Sequence, residues 1–278
     1  KDNIKKHLLV LTPTLGIKSS LERTINSVKN ISGNDIDHKI VCPNKTFNKL
    51  KNLYRENQII VEPSNIRGIF DSLNWALKNI SDNYKYFAYI NDDDYWLPDM
   101  FKLLQYSLKS QKDIIYSNTL FFNEESKFKY VGGNYSNTNL FCDLALAGIP
   151  QFTQQSVLIK YTLLKEFNFF DTSLPLNADT DFFYRVIFSG KSFKYINAVT
   201  SVYSLGPGRL TSSKRERKKS QKLFLKKHFN KKRSRLKIII SILIFRIKNI
   251  PNYTLRLMKK LFVSIDYCFL KFKKYIKK

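Results

Sequence analysis

Short apolar runs alternate with segments of helical periodicity through the first third of the chain, and this alternation strongly constrains the fold. Four apolar runs predict strands, at residues 8–11, 39–42, 58–61 and 86–90. Between the runs, apolar residues recur every three or four positions, as in Leu21, Ile25 and Val28, which predicts helices. Strands that alternate with helices form a mostly parallel sheet covered on both faces. The sequence therefore predicts an α/β protein.

Three consecutive aspartates, Asp92, Asp93 and Asp94, directly follow the fourth predicted strand. Ligands of parallel sheets bind where the strands end, so we expect these residues and residues 12–14 along one edge. Adjacent carboxylates repel one another unless a cation lies between them, and Mg²⁺ or Mn²⁺ suits such oxygen ligands. The alternative interpretation is that Asp94 caps a helix beginning near Pro98 and that the other two are solvated.

Four segments, in this order, resemble the family 2 glycosyltransferases of the GT-A fold. They are Leu-Thr-Pro-Thr at 11–14, Leu-Glu-Arg-Thr-Ile-Asn-Ser-Val at 21–28, Gly-Ile-Phe-Asp-Ser-Leu-Asn at 68–74 and Asn-Asp-Asp-Asp-Tyr-Trp-Leu-Pro at 91–98. The resemblance extends over residues 8–213 and implies a GT-A Rossmann-like fold with a mostly parallel mixed sheet. It also implies a nucleotide-diphospho-sugar donor and a Mn²⁺ or Mg²⁺ cofactor.

The resemblance also assigns roles to individual residues of the donor side. It implies nucleotide-sugar contacts from Thr12, Pro13, Thr14, Asn44, Asp71, Asp92 and Arg209. It implies metal ligands at Asp93 and Asp94, with most weight on Asp93 because the motif begins with Asn91 rather than Asp. The second strand of the family usually ends in an acidic residue that contacts the base, and here Asn44 takes that role. For Arg209, a solvated surface position is the alternative.

A second pair of carboxylates, Asp179 and Asp181, lies at the start of an apolar helical segment that contains Arg185. By itself this pattern is equally typical of a helix N-cap. The resemblance to inverting members implies that Asp179 is the general base and that Gln155 and Asp181 lie on the acceptor side. Asp181 and Arg185 are interpreted as orienting or structural. A base on the face opposite the leaving diphosphate would invert the anomeric centre.

Charge divides the chain into two unequal parts. Residues 209–278 hold 24 lysines and arginines against 2 acidic residues, a net charge of +22, whereas residues 1–208 hold 24 against 20, a net charge of +4. We therefore predict a GT-A catalytic domain at 1–213 and a basic amphipathic helical region at 214–278.

The basic region combines positive charge with apolar periodicity. Apolar residues fill most of 236–247 and recur at three- to four-residue spacing from Met258 to Ile276. Basic amphipathic helices bind the interface of anionic membranes, which predicts peripheral membrane association. Two alternatives stay open: the apolar faces pack on the catalytic domain or on a second subunit, or the region binds nucleic acid non-specifically.

The sequence shows no apolar stretch typical of a signal peptide or a membrane span. The three cysteines, Cys42, Cys142 and Cys268, have no spacing typical of a disulfide framework or a zinc site, which favours a reducing compartment. Both observations favour the cytoplasmic face of the plasma membrane.

Together, these patterns predict a metal-dependent inverting hexosyl- or N-acetylhexosaminyltransferase that uses a UDP-sugar. The predicted acceptor is a hydroxyl of a membrane-associated glycan or lipid-linked acceptor in bacterial surface polysaccharide synthesis, such as lipopolysaccharide or capsule. No specific nucleic acid partner is expected, and a homo-oligomer stays open. The competing hypothesis is a non-catalytic membrane- or nucleic-acid-binding protein with a degenerate α/β fold.

Overall fold

The computed structural model describes residues 6–16, 18–31, 35–80, 84–132, 140–149, 151–206, 213–229, 235–251, 253–255 and 257–258. Within these residues the strands are β1 Lys6–Pro13, β2 Ile36–Pro43, β3 Ile59–Glu62, β4 Tyr84–Tyr89, β5 Tyr95–Trp96, β6 Ile114–Asn123, β7 Lys129–Val131, β8 Val157–Lys160 and β9 Phe193–Leu205. The helices are α1 Leu21–Ile31, α2 Asn44–Leu50, α3 Ile69–Asn79, α4 Met100–Lys109, α5 Phe141–Leu146, α6 Tyr161–Glu166, α7 Ala178–Phe188, α8 Lys214–His228 and α9 Arg235–Lys248.

All of these strands belong to one mixed sheet, in the order β3-β2-β1-β4-β8-β6-β9-β5, with β7 paired to β6. The four strands predicted from the alternation pair in parallel, β1 with β2 and β4, and β2 with β3. Strand β8 runs antiparallel to β4 and β6, and β6 pairs in parallel with β9. The predicted mostly parallel sheet flanked by helices is thus confirmed.

Both faces of the sheet are covered, as the continuous apolar runs predict. In β1, Leu9 and Leu11 belong to a core cluster with α3, α5 and α7, whereas Leu8 and Val10 belong to a second cluster with α4. All four side chains are fully buried. The sheet therefore holds the carboxyl ends of β1 to β4 in a fixed arrangement.

The helix predicted to begin near Pro98 begins at Met100 instead. Tyr95 and Trp96 form the short strand β5, which pairs with β9, and the Leu97 amide donates to the Thr200 carbonyl. These hydrogen bonds keep the chain extended past Trp96. The contact to β9 is long-range, so the local sequence pattern does not reveal it.

Helix α8 is part of the main core, although the chain becomes strongly basic there. Phe224 is fully buried in the same cluster as Leu9, and its ring lies 5.6 Å from that of Tyr184 in α7. Helix α8 starts at Lys214, the first residue of the predicted basic region, and the Ser213 hydroxyl caps it; a domain boundary there stays a prediction. The first part of the basic region is thus packed on the sheet domain, which was one of the alternatives left open.

No helix within the described residues is long and apolar enough to span a membrane. Helix α9 is apolar, but it has only 14 residues and includes four basic side chains.

Replacing Phe224 by Ala should lower the free energy of unfolding by about 3–5 kcal/mol, because it leaves a cavity in the main core. A matched control, Phe229→Ala, removes a ring that is 36% exposed at the end of the same helix. It should cost about 0.5 kcal/mol or less. Urea denaturation of the full chain measures both values, and equal effects would show that α8 does not share the core.

Candidate active site

The acidic motif lies at the carboxyl ends of the parallel strands, beside the segment that follows β1. The Thr14 hydroxyl donates to Asp92 Oδ2 at 2.7 Å, and the Ile90 amide donates to the Leu11 carbonyl. The Thr14 hydroxyl itself accepts from the Gly16 amide at 2.9 Å, which orients it. The structure thus brings the two segments together at one edge, as the sequence predicts.

Helix α1 fixes the backbone of the acidic motif. The Ser20 hydroxyl donates to the Asp92 carbonyl at 2.8 Å, and the Thr24 hydroxyl donates to the Asp94 carbonyl at 2.6 Å. Both donors lie at the start of α1, directly after the loop that leaves β1. The main chain of the motif is therefore held against β1 and α1 by hydrogen bonds that do not involve its carboxylates.

The Lys18 ammonium lies between two carboxylates of the motif. Its Nζ is 2.9 Å from Asp92 Oδ1 and 2.8 Å from Asp93 Oδ2. Partial burial alone would lower the pKa of Lys18, but its hydrogen bonds to Asp93 and Asp92 outweigh burial and raise it. Lys18 therefore stays protonated and supplies a positive charge where the two carboxylates converge. No local sequence pattern marks this residue.

Asp94, predicted to be a metal ligand, is buried and hydrogen-bonded within the protein, and the role of a metal ligand stays a prediction for it. Its side chain has no exposed surface, and its two oxygens accept from the Ser204 amide at 3.0 Å and from Gln155 Nε2 at 3.2 Å. These donors come from β9 and from the turn Gln154–Ser156, both distant in sequence. Asp94 therefore ties the motif to these elements, and Asp92 and Asp93 are the carboxylates that converge on a cation.

Gln155, predicted on the acceptor side, is also almost completely buried. Its backbone carbonyl accepts from Trp96 Nε1 at 2.9 Å while its side-chain amide holds Asp94. Its Oε1 is buried and accepts no hydrogen bond from the described residues. Gln155 thus links the acidic motif and Trp96 to the segment that leads into β8.

The other residues predicted to contact the nucleotide-sugar take different positions. Thr12 is fully buried with its hydroxyl 2.9 Å from His38 Nε2, so its side chain is packed inside the protein, and its contact to the nucleotide-sugar stays a prediction. Pro13 ends β1. Asn44 is exposed at the first position of α2, beyond the end of β2. Asp71 accepts from the Arg67 amide at 3.0 Å and so stabilises the start of α3.

Glu62 is an acidic residue that the sequence analysis missed at this edge. It ends β3 and is paired in register with Pro43, the residue before Asn44. Its Oε2 is buried and accepts no hydrogen bond from the described residues. Burial raises the pKa of Glu62, although a hydrogen bond from Ser72 opposes this shift. A carboxylate therefore lies beside the position where the family usually has one at the end of the second strand.

Asp179, the predicted general base, lies in the first turn of α7 and is half-buried. Burial raises the pKa of Asp179 to about 6, although hydrogen bonds from the Thr180 amide and hydroxyl oppose the shift. Near pH 7 such a carboxylate is mostly ionised and still accepts a proton readily, which suits a general base.

Asp181 lies in a different environment, although it is only two residues further along α7. Its carboxylate has no exposed surface and is paired with Arg185 at 2.7 Å, Lys227 at 2.7 Å and His228 at 2.6 Å. Burial alone would raise the pKa of Asp181, but these partners lower it to about 2. The structure therefore supports a structural role, in which Asp181 ties α8 to α7, over the predicted acceptor-side position.

Tyr89 is a buried residue whose hydroxyl is influenced by the charges of both acidic sites. It ends β4, two residues before Asn91, and its ring packs against Phe170 at 5.8 Å. Burial raises the pKa of Tyr89 well above its usual value, and the charges of Asp179 and Asp94 add to this shift. Both carboxylates are thus within electrostatic reach of one hydroxyl. Arg209, predicted to contact the diphosphate, lies outside the described residues.

The donor set fits a divalent cation. The described residues contain no group of three or more His, Cys, Asp or Glu side chains arranged to hold a metal ion. However, Mg²⁺ and Mn²⁺ bound with a nucleotide need only one or two carboxylates, because water and phosphate oxygens complete the coordination. Asp92 and Asp93 already place two carboxylate oxygens around one ammonium, which marks where such a cation fits.

Comparisons with known proteins identify the family and the fold of this chain. A model of the glycosyl transferase family 2 matches residues 9–163. This match covers more than half of the chain, so the protein belongs to glycosyltransferase family 2. A search of the curated proteins finds no match.

Solved glycosyltransferases share the fold. TarS 1–349 of S. aureus in complex with UDP-GlcNAc is 16% identical, with a TM-score of 0.57, and the match covers 74% of this chain and 61% of that one. A second structure of the same fragment is 14% identical, with a TM-score of 0.58 and coverage of 87% and 72%. The mannosyltransferase PcManGT of Pyrobaculum calidifontis, in complex with GDP-Man and Mn²⁺, is 11% identical, with a TM-score of 0.56 and coverage of 98% and 82%. At these identities the likeness establishes the GT-A fold.

Replacing Lys18 by Gln should tighten Mn²⁺ binding about three- to tenfold, because the cation no longer has to displace an ammonium from Asp92 and Asp93. Lys102→Gln removes the same charge from an exposed pair with Asp99 and should leave the affinity unchanged. Isothermal titration of each full-length variant with MnCl₂ measures the effect. Unchanged or weaker binding in the Lys18 variant would show that the ammonium and the cation do not share this position.

Proposed function

We propose that the protein is a metal-dependent inverting glycosyltransferase that moves a sugar from a UDP-sugar to an acceptor hydroxyl. The observation that carries this proposal is the convergence of the Asp92 and Asp93 carboxylates on one ammonium at the end of β4, where a cation bound with a diphosphate would fit. A donor held at the motif and a base at Asp179 then act on one sugar. Family membership supports transfer from a nucleotide-sugar, and the details of this reaction are our proposal.

The roles of the chain's own residues follow from their environments. Asp93 and Asp92 would hold a Mg²⁺ or Mn²⁺ ion, which supplies positive charge to the departing diphosphate. Asp179 accepts the proton of the acceptor hydroxyl as its oxygen forms a bond to the anomeric carbon. The bond from that carbon to the diphosphate oxygen breaks on the opposite face, so the configuration inverts. Thr14 keeps Asp92 oriented throughout.

The base of the nucleotide is assigned to the edge formed by Asn44 and Glu62. A buried carboxylate oxygen without a donor accepts well from a ring N–H. Uracil and guanine present such an N–H group, whereas cytosine and adenine present an unprotonated ring nitrogen. TarS was solved with UDP-GlcNAc and PcManGT with GDP-Man, which fits this division, and we propose uridine for this protein.

The acceptor is proposed to be a membrane-associated glycan or lipid-linked saccharide of a bacterial surface polysaccharide, reached at the cytoplasmic face of the membrane. The net charge of +22 over residues 209–278 supports a position at an anionic surface. The competing hypothesis, a binding protein without catalysis, requires that neither a nucleotide nor a metal binds at the acidic motif.

Replacing Asp179 by Asn should leave UDP binding intact and lower the rate of UDP release from UDP-N-acetylglucosamine about 10²–10⁴-fold, because the base is lost. In the wild type, the same rate should fall as the pH drops below about 6, since Asp179 must be ionised to accept a proton. Asp99→Asn, at an exposed position in a pair with Lys102, is the matched control. Full activity of the Asp179 variant would refute its role as the base.

Replacing Glu62 by Gln should weaken UDP binding about ten- to a hundredfold, because a charged acceptor for the uracil N–H is lost. Binding of Mn²⁺ with inorganic pyrophosphate should not change, since the proposed contact of Glu62 is to the nucleotide base. Glu56→Gln, an exposed glutamate in the turn before β3, is the control. If the wild type bound CDP as tightly as UDP, the proposed contact between Glu62 and a ring N–H would be contradicted. If it bound GDP more tightly than UDP, the choice of uridine as the nucleoside would be contradicted.

A further inference from the structure

Helix α9 is attached to the domain by one narrow face. Ser241, Phe245 and Asn249 recur every four residues, and they are 3%, 3% and 4% exposed. The Ser241 hydroxyl donates to Asp143 Oδ2 in α5 at 2.8 Å, at a carboxylate with no exposed surface. A buried hydrogen bond to a charged group and a buried ring on the same face fix the rotation of α9 about its axis.

The opposite face of α9 is apolar and faces away from the protein. We call it the apolar stripe; it consists of Leu236, Ile239, Ile240, Leu243 and Ile247. These side chains are 47–65% exposed, and Ile250, which follows the helix, is 52% exposed. A helix that only packs on its own domain buries its large aliphatic residues instead. The stripe therefore requires an occupant outside the described residues.

Basic residues border the apolar stripe on both sides. Lys237 and Lys248 are eleven residues apart, as are Arg235 and Arg246, and eleven residues make about three turns of helix. Each pair therefore lies along one line parallel to the helix axis. The two lines lie on opposite sides of the line through Leu236 and Ile247, which are also eleven residues apart. An aliphatic face between two basic borders is typical of helices that lie in a membrane interface.

The basic borders of the apolar stripe favour one of three possible partners, an anionic lipid surface, over a second copy of α9 or nucleic acid. An anionic lipid surface offers acyl chains to the aliphatic face and phosphates to both basic borders at once. A second copy of α9 would bring the same basic borders together and repel. Nucleic acid would bind the borders but leave the aliphatic face without a partner, since its affinity is dominated by phosphate contacts.

We propose that α9 is an interfacial helix that holds the protein on an anionic lipid surface, with its axis in the membrane plane and its apolar stripe among the acyl chains. The proposal deepens the proposed function by naming the surface at which the acceptor is met, and lipid binding itself does not depend on sugar transfer. Helix α9 packs on α5, and α5 packs on α7, which begins beside Asp179. Binding of α9 to the lipid surface therefore fixes the position of the proposed general base, Asp179, relative to that surface.

The test is vesicle co-sedimentation of the full chain carrying Leu236→Glu and Leu243→Glu. The matched control carries Leu53→Glu and Leu108→Glu, which make the same two replacements at residues that are 64% and 50% exposed elsewhere. With vesicles of phosphatidylglycerol and phosphatidylcholine, the stripe variant should lose at least about tenfold in partitioning relative to the control. Wild type should bind vesicles of phosphatidylcholine alone much more weakly.

A second variant, Lys237→Gln with Lys248→Gln, keeps the stripe and removes one basic border. It should reduce binding to the anionic vesicles and not to phosphatidylcholine alone. Release of UDP from a UDP-sugar should be unchanged in all variants, which separates failure of docking from failure of the proposed function. Equal partitioning of the stripe variant and its control would overturn the proposal. So would a wild-type dimer that dissociates on stripe substitution and does not bind vesicles.

Discussion

The repulsion among three adjacent carboxylates at the end of β4 is the constraint on which the site depends. The three carboxylates are stabilised in two different ways. Asp92 and Asp93 share the Lys18 ammonium at the cleft, whereas Asp94 is buried and held by the Ser204 amide and Gln155. Because Asp94 is buried and hydrogen-bonded by these two donors, only the Asp92 and Asp93 carboxylates converge on the ammonium. Two carboxylates with one removable counter-charge are suited to a cation that arrives with a diphosphate.

The two aspartates of α7 also differ in their surroundings, and therefore in their pKa values. Asp181 is surrounded by Arg185, Lys227 and His228, and its pKa falls to about 2 despite burial. Asp179 is two residues away and has hydrogen bonds from Thr180, but none of the described lysines, arginines or histidines forms an ion pair with its carboxylate, so burial raises its pKa to about 6. Environments that separate the pKa values of neighbouring carboxylates mark one as structural and the other as chemically active. The ion pairs that position α8 thus also leave Asp179 as the available base.

The features of the structure that depend on short-range sequence patterns could be predicted from the sequence. The alternation of strands and helices, the acidic motif and the segment at residues 12–14 were predictable, because short-range periodicity and the ends of parallel strands place them. Lys18, Glu62 and the burial of Asp94 were not, because their partners lie far along the chain or on a neighbouring strand. Glu62 meets the end of β2 only through the register of β3. For Asp94, the decisive donor comes from β9, 110 residues later.

The described helices of the basic region are packed on the domain and still present an apolar face to the outside. Phe224 and Phe245 are buried against the domain, so α8 and α9 are not a flexible arm, yet the apolar stripe of α9 faces outward. A flexible tether would hold a catalyst near a membrane in many orientations. A helix whose rotation is fixed by Phe245 and by the bond from Ser241 to Asp143 permits far fewer. Since α9, α5 and α7 are packed in series, an orientation set at the lipid surface is transmitted to Asp179. That arrangement favours an acceptor whose hydroxyl lies at a constant height above the lipid.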